Sequence, residues 1–387
     1  MTSASSTSRP PVWRDVRVLS WAFQLVVFAL IALVVMWLVS NYRTNAADIG
    51  IPTNFDFLDN PANFSIPGSD FNQSQPVRDA FVIGILNTMR VAALGIVLAT
   101  VLGVLVGIGR LSRNWVVRRL ATVYVEVVRN LPLLVILVFV FLGVVLQVLP
   151  RIENPWTPGD VTVFSNRGIG VPWFAGNTGT VLILLGLAAA AGWWGVARWR
   201  RSVADRTGHP AHAGTYGALM FTATVVVGWI VLGYEVSTPA VAGRQIVGGM
   251  RLQPSYFALL IALVVYTASH IAEIVRGSIQ AVPIGQGEAA SALALGASQR
   301  MWFVVLPQAM RIAIPPLGNQ YLNLIKNSSL GAGFAYFELT QIAQITQANG
   351  SPAIPAFSLA LGFYVVLSLV TSAVVNVANR HFELVVR

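Results

Sequence analysis

Val282-Pro283-Ile284-Gly285-Gln286-Gly287-Glu288-Ala289-Ala290, running on to Val305-Leu306-Pro307-Gln308, is a polar, small-residue interruption between two strongly apolar segments. Pro283 and Gly285 break the helix that precedes it. From Glu288 onward Ala289, Ala290, Ser291, Ala292, Leu293, Ala294 and Leu295 favour helix. The Glu288 carboxylate is expected near its start, where the dipole favours an acid, and Gly296 is expected to end it. With Leu293 on one side and alanines on the other, such a helix can lie flat in a groove of another protein. That points to docking and not to chemistry; the plainer alternative is an amphipathic connector on a membrane surface.

Composition sets the frame. At 387 residues, 55% hydrophobic, 10% charged and mean hydropathy +0.68, the chain is too apolar for a soluble fold of this length and reads as an integral membrane protein. A helix needs about 20 apolar residues to cross the hydrocarbon core. Eight such runs are expected, at residues 19–39, 80–109, 120–149, 178–197, 216–236, 256–275, 310–330 and 355–378.

Short loops rich in arginine stay in the cytoplasm. Arg9, Arg14 and Arg17 precede the first run; Arg110, Arg113, Arg118 and Arg119 fill the loop after the second; Arg198, Arg200, Arg201 and Arg206 fill the loop after the fourth. These are expected inside. The opposite loops hold Asp48, Asp56, Asp59, Asp70, Asp79, Glu153 and Asp160, with Arg43, Arg78, Arg151, Arg167, Arg244 and Arg251. The pattern places both termini and the Glu288 loop in the cytoplasm. The first run is long enough to span and lacks a small-residue cleavage site, so it is expected as a retained anchor.

The net charge of +10 sits beside the apolar runs and forms no basic tract interleaved with aromatics, which argues against nucleic acid as a partner. With no cysteine there are no disulfides or thiolate sites, and His209, His212, His270 and His381 show no metal-ligand spacing backed by carboxylates. The single lysine, Lys326, follows no Gly-rich phosphate loop. If ATP drives this protein, another subunit hydrolyses it.

Ionisable residues inside apolar runs are candidates for a solute path, because a charge in hydrocarbon is costly unless it meets a partner or water. Arg90 lies in the second run; Glu126 and Arg129, three apart, share a helical face in the third, just before a break at Pro132 that would free backbone groups for a zwitterion. Lys326 has Asn319, Gln320 and Asn323 on its own run. The alternatives are structural pairing for the first three and snorkelling for Lys326. Glu273 and Arg276, also three apart, are expected to lock the Glu288 loop.

These residues resemble a known family. Gln286, Glu288, Ala289, Ala290 and then Leu306, Pro307, Gln308 and Ala309, with the preceding Ala272-Glu273-Ile274-Val275-Arg276-Gly277, are similar to the cytoplasmic coupling ("EAA") loop of permease subunits in ATP-binding-cassette importers of polar amino acids. The family usually has glycine six residues after the Glu; here Ala294 stands there and the glycine comes two later, at Gly296. Asn54-Phe55-Asp56-Phe57-Leu58, Leu86-Asn87-Thr88, the run from Tyr124 through Glu126, Arg129 and Asn130 to Leu134, and Tyr321 through Lys326 to Leu330 resemble the general L-amino-acid branch. The likeness covers roughly residues 50–150 and 255–385.

The resemblance implies an all-α polytopic protein of about eight transmembrane helices with the type I importer fold. Residues 1–18 would be a cytoplasmic N-terminus, 19–79 a first span and periplasmic segment, and 80–385 the transmembrane domain. Residues 277–307 would be the coupling loop, and 151–254 an insertion of two peripheral spans anchored by Trp193, Trp194, Trp199 and Trp229. It implies coupling through Gly285, Gln286, Glu288, Ala289, Ala290, Ala294 and Gly296, and a solute path past Arg90, Glu126, Arg129, Asn319, Gln320, Asn323 and Lys326. Implied partners are two ABC ATPase subunits holding ATP and Mg, a second related permease, a periplasmic amino-acid-binding protein and membrane lipid, in a bacterial inner membrane. The chain itself would be non-catalytic and hold no cofactor. An ion-driven secondary transporter is the second hypothesis; it predicts no ATPase partner, and the hydropathy shows no inverted repeat to support it. A membrane-embedded enzyme finds no triad, metal set or paired carboxylates.

Overall fold

Small residues recur at every third or fourth position along helix α2 (Val77–Arg110): Ala80, Gly84, Thr88, Ala92, Gly95, Ala99, Gly103 and Gly107 are all buried. The computed structural model, which describes residues 16–69, 71–174, 178–207, 212–232 and 236–382, shows what this stripe is for. It lies against helix α7 (Pro254–Gln280) so closely that a Cβ at Gly103 would stand 2.6 Å from Ile271 and 2.9 Å from the Ala268 carbonyl oxygen. At Gly107 it would stand 2.8 Å from the Ala272 carbonyl. Lipid tails are as apolar as leucine, so helices in a bilayer associate through such close approach and not through hydrophobic burial.

Around this seam the core assembles. Leu259, Leu263 and Ile271 of α7 meet Leu137 and Val140 of the segment after α3, and Leu324 and Ile325 of helix α10 (Leu306–Asn327). A second cluster closes the other end of α2. There Phe57, Phe64, Ile66 and Phe71 of the loop before α2 pack with Leu339, Ile342 and Ala343 of helix α11 (Leu339–Ala348) and Ala356 and Ala360 of helix α12 (Ala353–Phe382). The sequence Asn54 to Leu58 thus supplies a buried plug, Phe57.

Polar groups stitch α2 to the chain break between α10 and α11. Asn87 Nδ2 donates to the Phe337 carbonyl at 2.9 Å, Tyr336 hydroxyl donates to the Asn87 carbonyl at 3.0 Å, and the Leu339 N–H donates to Thr88 Oγ1 at 3.2 Å. Glu338, fully buried, caps α11 by accepting from the N–H groups of Thr340 and Gln341, and also accepts the Tyr364 hydroxyl at 2.7 Å. A buried carboxylate with three donors satisfies groups that hydrocarbon could not.

Helix α3 (Trp115–Arg129) and helix α4 (Leu133–Val138), which continues into a π-helical turn at Phe139–Val145, form a pair bent by 106°. Pro132 is the N-cap of α4, and the break expected there divides the apolar run over 120–149: Pro lacks the N–H that would continue the helix. Tyr124 hydroxyl donates to the Val265 carbonyl at 2.6 Å and pins α3 to α7.

The middle of the chain departs from an all-α description. Strands β1 (Val163–Ser165), β2 (Gly168–Val171) and β7 (Met250–Leu252) form an antiparallel sheet, while β3 (Trp173–Phe174) pairs with β4 (Val236–Ser237) and β5 (Ala240–Ala242) with β6 (Gln245–Val247). These strands are two to four residues long and lie among glycines and prolines, so no period-2 pattern announces them. Between them helices α5 (Thr178–Thr207) and α6 (Ala213–Leu232) pack chiefly on each other as a hairpin. Trp193 lies over Gly217, where a Cβ would stand 2.6 Å from its ring, and meets Phe221 edge to face. It thus packs across the hairpin while remaining exposed itself, as Trp194 and Trp199 are.

Among the described residues four helices are long and apolar enough to cross a membrane, Val18–Asp48 of α1 (Val16–Asp48), α2, α7 and Ala353–Val377 of α12, or five if α3 and α4 are one broken span. Eight were expected. Of the helices not counted, α10 carries Pro315, Pro316 and a polar stripe, and the second half of α5 is arginine-rich. Arg9, Arg14, Asp70 and His209 lie outside the described residues, as do the side chains of Trp229 and His381.

The seam makes a direct prediction. Gly103→Ala is expected to destabilise the protein by about 1–3 kcal/mol through overpacking, read as a lower melting temperature in detergent. Gly362→Ala on α12, where a Cβ would meet nothing within 4 Å, should leave it unchanged or raise it slightly.

Candidate functional site

The interruption that opens the sequence folds as helix α8 (Ile284–Ala292), followed by short helix α9 (Ala297–Arg300) and a π-helical turn, Met301–Val305, that leads into α10. Pro283 is the N-cap of α8, so the helix begins four residues before Glu288 and ends before Leu295. This corrects the expected span. Glu288 stands in the second turn, away from the strong end of the dipole.

The turn after α8 settles where the chain reverses. Ala294 adopts a left-handed conformation with φ +56°, the Leu295 N–H donates to the Ala290 carbonyl at 3.1 Å, and the Ala294 N–H donates to the Ser291 carbonyl at 3.0 Å. This is a Schellman cap. The reversal therefore lies at Ala294 itself, and Gly296 serves instead as the N-cap of α9, its N–H donating to Gln299 Oε1 at 3.0 Å.

The two sides of α8 differ. Ile284, Gly285, Glu288, Ala289 and Ala292 are exposed and share one face, while Ala290 is buried and Gly287 half-buried on the other. A Cβ at Gly285 would meet nothing within 4 Å, so its bareness serves no contact inside the chain. Ala290 belongs to the inner side, and a bulky residue there would disturb the loop before it touched a partner. Gln286 also turns back toward the chain, accepting from Gln308 Nε2 at 3.3 Å; Gln308 donates to the Val304 carbonyl as well, at 2.9 Å. Arg300 donates to Ser291 Oγ at 2.6 Å. The first link fastens α8 to the start of α10, and the second fastens it to the end of α9. Neither link has a periodic signal in the sequence, because the partners are nine and twenty-two residues apart.

At the end of α7, just before this loop, Glu273 gathers three arginines. It pairs with Arg110 of α2 and with Arg276 of its own helix, whose Nε donates at 3.1 Å, and Arg129 of α3 stands 4.0 Å away. Arg276 also donates to Gln280. One carboxylate thus ties together the ends of α2, α3 and α7. Arg129 is part of this cluster, while Glu126 is exposed on α3, its carbonyl accepting from Asn130 Nδ2 at 2.6 Å.

The remaining pathway candidates occupy two helices. Asn319, Asn323 and Lys326 are exposed at i, i+4 and i+7 on one face of α10, with Gln320 half-buried beside them. The opposite face carries buried Leu324 and Ile325, and Tyr321 shares a hydrogen bond with Thr100 of α2 at 3.0 Å. Arg90 is exposed on α2, and the rings of Tyr256 and Tyr336 lie 5.6 Å apart. No salt bridge among the described residues includes Arg90, Glu126 or Lys326. Nor do three or more His, Asp or Glu residues gather at metal-binding spacing among them.

Comparison with known proteins gives this geometry its setting. Residues 99–384 match the family of binding-protein-dependent transport system inner membrane components. The general L-amino acid transport system permease protein AapQ of Rhizobium johnstonii is 38% identical over 94% of this chain and 92% of its own length. The glutamate/glutamine/aspartate/asparagine transport system permease protein BztB of Rhodobacter capsulatus is 34% identical over 96% and 95% respectively.

Two outcomes follow from the site. Ala294→Gly should relieve roughly 1 kcal/mol of left-handed strain and slow amide exchange across residues 284–296, whereas Ala294→Val should hasten it. Glu273→Ala, which leaves three arginines facing one another, is expected to destabilise by about 1–3 kcal/mol and to cost more than Arg276→Ala in the same thermal assay.

Proposed function

The chain belongs to the family of binding-protein-dependent transport system inner membrane components, and on that footing we propose how it works as the permease subunit of an ATP-driven L-amino-acid importer. A periplasmic binding protein delivers the amino acid. Two copies of a separate ATPase subunit bind ATP and Mg and supply the force, in keeping with the absence of a phosphate loop from this sequence. The chain sits in the bacterial inner membrane with both termini and α8 in the cytoplasm, and α5, α6 and α10 complete eight spans, α5 and α6 as an added peripheral pair. The transmembrane domain runs over 80–385, with 151–254 as the insertion.

The observation that carries this reading is the outward face of α8, which offers Gly285, Ala289 and Ala292 around a single carboxylate, Glu288. A groove on a partner can grip such a face without steric conflict, and Ile284, 81% exposed, gives it an apolar edge. Closure of the ATPase pair moves α8. The Gln286–Gln308 link carries that movement into α10 directly and the Ser291–Arg300 link by way of α9, and the Glu273 cluster carries it into α2 and α3. Because α10 bears Asn319, Gln320, Asn323 and Lys326, the helix that is driven is also the one that carries the polar face. Exposed polar side chains on a membrane helix need a partner or water. A second, related permease set against α10, with Arg90 and Glu126 nearby, supplies both, and the two chains alternate access between them.

Substitution on the outer face tests the coupling. Gly285→Trp combined with Glu288→Ala is expected to leave the protein inserted and its melting temperature unchanged, while uptake falls roughly tenfold or more, as the loss of about 1.4 kcal/mol of docking energy requires. Full uptake in that variant, measured in proteoliposomes with the ATPase and binding protein present, contradicts the assignment.

A further inference from the structure

The α5–α6 hairpin holds a feature that coupling and translocation leave unused. Along α5, Ala190 and Ala197 form the floor of a groove of about 510 Å³, with Trp193 and Trp194 as walls and Arg198, Arg201 and Ser202 at its far end. The Trp193 wall also packs over Gly217 of α6, and Arg200 stands 4.2 Å above the ring of Tyr216, so the groove borders the seam of the hairpin. Arg198 lies 5.6 Å from the centroid of the Trp194 ring, a cation–π contact between two residues that line the groove. Neither Arg198 nor Arg201 has a carboxylate within 4 Å among the described residues, although Asp205 lines the same groove one turn further on.

We propose that this groove is a binding site for one anionic phospholipid, its acyl chain along Ala190, Ala197 and Trp194 and its phosphate between Arg198, Arg201 and Ser202. Charge, shape and setting agree. The groove runs from apolar to cationic along the helix axis, as a lipid runs from chain to headgroup. Tryptophan and arginine are the residues that favour that boundary. The hairpin packs chiefly on itself, so this groove is left for the bilayer to cover. Asp205 limits the anion to the level of Arg198 and Arg201 and disfavours a position nearer the helix end. The site anchors the hairpin to the membrane independently of the coupling loop, and it stands whether or not the transport reading does, provided the hairpin lies in the bilayer.

The test is native mass spectrometry of the full permease complex released from detergent with added phosphatidylglycerol or phosphatidylcholine. Arg198→Gln with Arg201→Gln is compared with Arg113→Gln with Arg119→Gln, which removes the same charge elsewhere. Retained phosphatidylglycerol should fall roughly tenfold in the first variant and be unchanged in the second, with phosphatidylcholine retained weakly by all. Matching melting temperatures show that the loss is not one of folding. Equal retention in the two variants, phosphatidylcholine held as well as phosphatidylglycerol, or inorganic phosphate displacing the lipid at equal concentration would each overturn the proposal.

Discussion

The close approach of α2 to α7 is the constraint on which the rest of the structure depends. Gly103 and Gly107 put two helix backbones in contact, and a single methyl group at either would collide with a carbonyl oxygen. Inside a bilayer such packing is what holds helices in one register. The same helix, with Gly95 against Leu324 and Gly84 against Ile342, also fixes where α10 and α11 lie. One stripe of small residues therefore sets three neighbours at once, and the charges that link these helices have their positions set by it.

This rigidity is what gives a movement at α8 a destination. A flexible loop would absorb displacement, whereas α8 is capped, reversed at Ala294 and fastened by one side-chain link to α9 and by another to the start of α10. On the other side of the loop, the Glu273 carboxylate holds Arg110 and Arg276 and has Arg129 within 4.0 Å, so the ends of α2 and α3 follow α7. The net positive charge of that cluster matches the side of the membrane where arginines are tolerated. In this account the seam and the cluster are a frame, and α10 is the element that moves its polar face relative to it.

Much of this was legible in the residues. The apolar runs mark the positions of α1, α2, α7 and α12, the dipeptide Leu131-Pro132 marks the break between α3 and α4, and the Glu273–Arg276 spacing marks an ion pair on one face. Other features were not. The β-strands flanking the α5–α6 hairpin are too short to show alternation, and their pairing joins residues some eighty positions apart, as β2 and β7 do. Ala294 looks like a helix former in sequence, yet tertiary context holds it in a conformation that glycine would adopt more easily. Ala290 looked like part of a uniform alanine face, and only the fold shows that it turns inward while Ala289 turns out. The polar stripe of α10 is visible in the sequence, but that Lys326 has no ion-pair partner among the described residues emerges only from the fold.

The central claim is that force generated on a separate ATPase enters this chain through α8 and moves an amino acid across the membrane. The most direct measurement is uptake of radiolabelled L-amino acids by proteoliposomes holding the purified complex, with binding protein outside, ATP inside and no ion gradient. The account predicts uptake that requires both ATP and binding protein and a stoichiometric ATPase in the purified complex. Uptake by this chain without an ATPase, driven by an imposed ion gradient, would contradict it.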